Sequence, residues 1–175
     1  MANHLLIVGH PGFGSGEGSG AQEVAREILK LGGFDVRDVS GAPVDMEEER
    51  KAWAAAAGVV LHFPLYWYGM PGHLKSYFDE LLAPGWAFGE AHVLEGKPIL
   101  TSITTGAPLA TYARGERNEH PLEIYMLPVA RTARFCKMDW RGVVATGSVP
   151  KDVPEDRWAS HAEEIRRILT AENPD

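Results

Sequence analysis

The feature that most constrains this chain is the alternation of short apolar runs with segments of helical period. Five runs read as buried strands: His4 to Gly9, Phe34 to Val39, Gly58 to Phe63, Lys97 to Thr105 and Trp140 to Thr146. Between them Ala21, Val24, Ala25, Ile28 and Leu29 fall at helical spacing, as do Leu74, Phe78, Leu81 and Leu82. Trp158, Ala162, Ile165 and Leu169 repeat the pattern near the end of the chain. Strands joined by helical crossovers run parallel, with each helix packed on a face of the sheet. The expected fold is α/β: a doubly wound five-stranded parallel sheet, order 2-1-3-4-5, with helices on both faces. No internal repeat interrupts it, and 175 residues, 45% of them hydrophobic, suit one domain over residues 1–175.

Local signals place the helix ends. Ser19 with Gln22, and Asp45 with Glu48, have capping-box spacing. Asp152 caps the last helix, with Pro154 in its first turn. A helix is expected from about Leu122 to Lys137, with Pro128 starting or kinking it. The run Glu47-Glu48-Glu49 reads as a solvated helix face.

Composition removes several functions. A net charge of −7 without a Lys/Arg run argues against nucleic acid as a partner. The single cysteine, Cys136, excludes an intrachain disulfide and reads as a small buried hydrophobe. There is no signal-peptide pattern at the N-terminus and no apolar run of membrane-spanning length, so a soluble cytoplasmic protein is expected. No nucleophile elbow is present. His62, His73, His92 and His161 lack metal-ligand spacing, so no metal is expected and they read as structural or solvated.

In a sheet of this order, ligands sit beyond the carboxyl ends of the strands, near the point where strand order reverses. That rule brings together residues 10–19, 64–72 and 104–112. The first loop, His10 to Gly20, is rich in glycine and precedes a helix, so its N–H groups and the helix N-terminus suit an anion such as phosphate. It carries no Gly-Lys-Ser/Thr and is not a Walker A loop. Gly16, Gly18 and Ala21 also fit a loose dinucleotide fingerprint, with Asp38 near the end of the next strand. A flavin-free Rossmann-type NAD(P)-dependent reductase is therefore one reading.

The loop after the third strand, Phe63 to Gly72, sets Tyr66, Trp67 and Tyr68 in a row between prolines and glycines. It is either a platform for a flat conjugated ligand or an aromatic loop packed on its own core. The fourth-strand loop, Thr104-Thr105-Gly106-Ala107, offers hydroxyls and a close-approach glycine. The long connection from Pro108 to His120 carries Tyr112 and His120, donors of the kind that stabilise negative charge.

These residues resemble the flavodoxin-like NAD(P)H:quinone oxidoreductases, a family that includes the ancillary flavoproteins of potassium-efflux systems. The likeness is carried by His10-Pro11, Ser19 to Gln22, Phe63 to Tyr68, Pro71 to Leu82, Gly85-Trp86-Ala87-Phe88-Gly89, Thr104-Thr105-Gly106 and Phe135-Cys136. By that resemblance His10, Ser19, Ala21 and Gln22 would hold a flavin phosphate. Pro64, Leu65, Tyr66, Trp67 and Tyr68, with Thr104, Thr105, Gly106 and Ala107, would line its ribityl chain and ring. Within the aromatic run, Trp67 and the backbone would hold the flavin, leaving Tyr66 and Tyr68 to shape the substrate side. Tyr112 and His120 would be the catalytic pair that stabilises negative charge on the reduced cofactor. Trp86 and Phe88 would reach across a homodimer interface.

The resemblance implies a quinone or similar acceptor, NADH or NADPH as hydride donor, and a flavin as cofactor. FMN is expected over FAD, because the chain ends soon after its fifth strand. A flavin-binding regulatory partner of a membrane efflux protein is the second reading. Two departures stand out: the first loop is longer than in the ancillary proteins, and Ala107-Pro108 replaces further glycines.

Overall fold

The computed structural model describes residues 3–13, 20–40, 43–149 and 153–171. Its strands are β1 (His4–Val8), β2 (Phe34–Asp38), β3 (Val59–Pro64), β4 (Pro98–Thr104) and β5 (Asp139–Thr146). They form one parallel sheet in the order β2-β1-β3-β4-β5, as the alternation predicts. The helices are α1 (Gly20–Leu31), α2 (Met46–Ala55), α3 (Gly72–Leu81), α4 (Leu122–Tyr125), α5 (Leu127–Phe135) and α6 (Glu155–Thr170).

Side chains alternate across each strand, so the sheet has two apolar faces. On one, Leu5, Ile7, Val59, Leu61, Phe63, Ile99 and Ile103 pack against Trp53 of α2, the buried side of α3, and Val129 and Ala133 of α5. On the other, Leu6, Val8, Val60, Leu100 and Val144 meet Val24, Ala25 and Ile28 of α1 and Ala162, Ile165 and Leu169 of α6. The central strand β3 is buried along its whole length.

Several local expectations hold and some change. Asp45 caps α2, its carboxylate accepting from the N–H groups of Glu47 and Glu48. The expected helix from Leu122 to Lys137 is instead two, parted at Met126, with Pro128 in the first turn of α5 where its missing N–H costs nothing. Pro154 is the cap residue of α6 rather than a member of its first turn. Asp152 lies outside the described residues, as does Ser19.

The solvated Glu47-Glu48-Glu49 face needs correcting at its last member. Glu49 is buried and accepts the Tyr77 hydroxyl at 2.8 Å, while Tyr77 itself accepts the Trp53 indole N–H at 2.8 Å. A carboxylate on a helix turned toward α3 finds a phenol there, and burial beside that carboxylate drives the Tyr77 hydroxyl strongly toward its protonated form. Cys136 is buried, and burial raises its thiol pKa, as a packing residue requires.

Candidate functional site

All five strands end on the same side, so the loops after β1, β3 and β4 meet there. The β3 loop is a tight turn. Tyr66 and Gly69 exchange N–H···O bonds at 3.0 Å each way, and the two residues between them, Trp67 and Tyr68, both have positive φ (47° and 65°). That is the geometry of a type I′ turn, normally supplied by Asn and Gly. Two bulky aromatics in the left-handed region carry backbone strain. Packing offsets it at Tyr68, whose ring lies 5.0 Å from that of Tyr125 and whose hydroxyl donates to Asn118 Oδ1 at 3.3 Å. Trp67 has no such support: its side chain is 95% exposed. Among the described residues, neither Trp67 nor Tyr68 has a partner for its backbone N–H.

The β4 loop lies alongside. Leu65 N–H donates to Thr104 O at 2.8 Å, tying the two loops at their bases. Thr104 and Thr105 are buried, and Thr105 Oγ1 donates to Ala107 O at 2.7 Å. Gly106 and Ala107 leave their N–H groups without partners among the described residues. The loop closes on β5 instead through Ser148 N–H to Ala107 O at 3.1 Å, which answers how the Ala107-Pro108 turn is held. Gly147 sits so close that an added Cβ would come within 2.8 Å of Leu109 N and 2.9 Å of Ala107 O.

Tyr112 and His120 come together through a residue the sequence did not single out. Tyr125, on α4, has its ring 6.2 Å from Tyr112 and 6.3 Å from His120. Burial raises the Tyr112 pKa against the effect of the Thr105 hydroxyl, with Tyr68 and Tyr125 adding to the rise, so the phenol keeps its proton and can donate. Buried Asn118 organises the connection: its side-chain amide donates to Thr111 Oγ1 at 2.7 Å, its backbone N–H donates to Thr111 O at 2.9 Å, and its carbonyl accepts from the Tyr125 hydroxyl and from His120 N–H. An asparagine in a polar loop and a tyrosine inside a helical run give no pattern that marks them beforehand. His120 is exposed.

At the β1 loop, His10 Nδ1 accepts from Gly12 N–H at 3.0 Å, leaving the proton of the neutral ring on Nε2. Its pKa is lowered, first by burial and then by His73, with its own backbone hydrogen bond and Asp38 opposing. The Gln22 side-chain amide donates to Phe13 O at 2.7 Å and so pins the loop to α1. Ala21 is fully buried, so what it presents is its backbone in the first turn of α1. Trp86 and Phe88 are half-buried against the core, and Phe88 has its ring 5.3 Å from that of Phe135, which is 53% exposed. No cluster of metal-ligating side chains occurs among the described residues, and no helix there is long and apolar enough to cross a membrane.

Comparison with known proteins agrees with this architecture. The family described as having a flavodoxin-like fold matches residues 2–170. The glutathione-regulated potassium-efflux system ancillary protein KefG of Yersinia enterocolitica is 35% identical over 127 residues, covering 72% of this chain and 68% of that protein. Among solved structures, a NADPH-quinone reductase from P. pentosaceus superposes with a TM-score of 0.86 at 22% identity, covering 98% of this chain and 99% of that one. General stress protein 14 of Treponema denticola, solved in complex with FMN, superposes with a TM-score of 0.83 at 23% identity, covering 95% and 97%.

Proposed function

The chain belongs to the flavodoxin-like fold family, and on that premise we propose that it is an FMN-dependent oxidoreductase passing two electrons from NADH or NADPH to a quinone or similar acceptor. The observation that carries this reading is the set of N–H groups at Trp67, Tyr68, Gly106 and Ala107 that have no partner among the described residues, on two loops at one end of the sheet tied by the Leu65–Thr104 bond. A planar ring system with carbonyl oxygens needs such donors beside an apolar wall. The names of the superposed quinone reductase and of the FMN complex support it.

These residues fit the cofactor. When bound, the flavin supplies the hydride acceptor and the store for two electrons. The chain's part is to bind and orient it. His10 and the first turn of α1 receive the phosphate, with Ser19, Ala21 and Gln22 the further residues expected around it. Pro64 to Tyr68 and Thr104 to Ala107 would line the ribityl chain and ring, with the N–H groups of Trp67, Tyr68, Gly106 and Ala107 as the backbone donors. Tyr112, kept protonated by its surroundings, donates toward the side where negative charge gathers, with His120 as the second donor. Tyr66 and Tyr68, each about half exposed, border the face where donor and acceptor bind in turn. In this reading a homodimer partner covers the edge formed by Trp86, Phe88 and Phe135, and the protein works in the cytoplasm.

A second reading follows from the likeness to KefG: a flavin-binding regulator of a potassium-efflux protein. Steady-state NAD(P)H oxidation with a soluble quinone separates the two. Sustained turnover supports the enzyme. Flavin binding without turnover, together with binding to an efflux protein, supports the regulator.

A further inference from the structure

Four buried polar side chains form a chain through the α1/α6 side of the sheet. Thr146 Oγ1 of β5 lies 2.8 Å from His161 Nδ1 of α6, and His161 Nε2 lies 2.7 Å from Ser102 Oγ of β4. Ser102 Oγ in turn lies 2.7 Å from His62 Nδ1 of β3. Each of the four is nearly or wholly inaccessible to solvent. The chain then stops: His62 Nε2 is buried and has no hydrogen-bond partner among the described residues.

Counting protons shows what each direction of the chain leaves unmet. Burial lowers both histidine pKa values, to about 3 for His62, with help from His161 and His10, and to about 4 for His161, so both rings are neutral at pH 7. A neutral imidazole has one donor and one acceptor nitrogen, and each hydroxyl has one proton. In one arrangement Thr146 donates to His161, His161 Nε2–H donates to Ser102, and Ser102 donates to His62 Nδ1. His62 then carries its proton on Nε2, and the unmet groups are that N–H and the acceptor side of Thr146 Oγ1. In the reverse arrangement His62 Nδ1–H donates to Ser102, Ser102 to His161, and His161 to Thr146. That too leaves one donor and one acceptor unmet, the buried Thr146 hydroxyl proton and the His62 Nε2 lone pair, because no other partner for Thr146 Oγ1 exists among the described residues. The two directions are therefore balanced within the protein, and an anionic acceptor at His62 Nε2 selects the first.

With Nδ1 turned toward Ser102 on β4, Nε2 on the opposite side of the ring turns toward β1, where His62 is in register with Val8. His62 is two residues beyond Val60 on the same face, toward the carboxyl ends and the first turn of α1. His10 is near enough to affect its titration.

We propose that His62 Nε2–H is a buried, uncharged donor fixed by the Ser102–His161–Thr146 chain, and that it receives the phosphate of the bound cofactor at the β1 loop beside His10. This inference rests on the flavin reading above. A neutral donor held in one tautomer discriminates a phosphate-bearing flavin from a plain one without burying a charge.

The test has two arms. In protein labelled with 15N-histidine, long-range 1H–15N spectra should show His62 as the Nε2–H tautomer, and inorganic phosphate should shift its Nε2 resonance. An Nδ1–H tautomer, or no shift at saturating phosphate, overturns the proposal. In the second arm, His62→Phe should weaken FMN binding about ten-fold or more while riboflavin affinity stays within about two-fold, and His62→Gln, which keeps an amide donor, should recover most of the loss. Unchanged FMN affinity in His62→Phe, or equal losses for FMN and riboflavin, overturns it. If the wild-type protein binds neither flavin, the functional reading above fails, and the phosphate titration still decides the role of His62.

Discussion

The two halves of the site differ in almost every physical respect. On the α1/α6 side of the sheet, polar groups are buried, neutral and linked in one hydrogen-bonded chain that ends, among the described residues, in an unpaired nitrogen of His62. Around the β3 turn, the aromatic groups are partly or fully exposed, and the ring contact with Tyr125 offsets strain at Tyr68 while Trp67 has no such support. A buried chain cannot rearrange without breaking several bonds together, which suits a cofactor tail that stays in place. An exposed turn whose N–H groups at Trp67 and Tyr68 have no partner among the described residues suits ligands that come and go. The molecule thus separates holding from exchanging, and substitutions in the two halves should have different signatures.

The largest effect is expected from Ser102→Ala. It strips partners from both His62 Nδ1 and His161 Nε2 inside the core, and should cost about 2–4 kcal/mol of stability, read by denaturant unfolding, along with FMN affinity. Loss of FMN with unchanged stability would mean the chain is not the rigid element of the comparison.

Acid should act on the same half. Unfolded, each imidazole titrates near 6.5, whereas folded His62 and His161 titrate near 3 and 4. Between pH 6.5 and about 4 the unfolded chain takes up protons that the folded chain refuses. The stability from these neutral rings is full above 6.5 and falls with decreasing pH, with a limiting slope of about 1.4 kcal/mol per pH unit for each histidine. His161→Gln should flatten that slope in thermal unfolding measured from pH 7 to pH 4.5; a parallel slope would exclude His161 as its source.

On the other half, Tyr112→Phe should slow flavin reduction about ten-fold or more in stopped-flow with little loss of bound flavin. An unchanged reductive half-reaction would remove Tyr112 from the chemistry. Trp67→Ala should be the mildest, within about 0.5 kcal/mol in stability because its side chain makes no buried contact. A large destabilisation would show that the indole supports the turn after all.

The fold was legible because the signals are local: short apolar strand runs and helix runs near period 3.6 lie in the chain order that the sheet then adopts. The Asp45 cap was legible for the same reason, since donor and acceptor lie two and three residues apart. What could not be read depends on partners distant in sequence. Glu49 is buried because Tyr77 approaches from another helix, and Asn118 and Tyr125 matter because a loop folds back on itself. His62 read as structural or solvated, and only the pairing of β3 with β4 brings it beside Ser102 and exposes its second nitrogen as unpaired. The co-location of three unusual loops followed from a topological rule, whereas the positive φ at Trp67 and Tyr68 runs against the residue preferences of such turns.

The central claim is that the carboxyl end of this sheet is an FMN site. Its most direct test is the absorption spectrum of the purified protein, followed by mass analysis of the small molecule released on denaturation. The account predicts a flavin spectrum and a released ligand with the mass of FMN. A colourless protein that takes up no added FMN would contradict it.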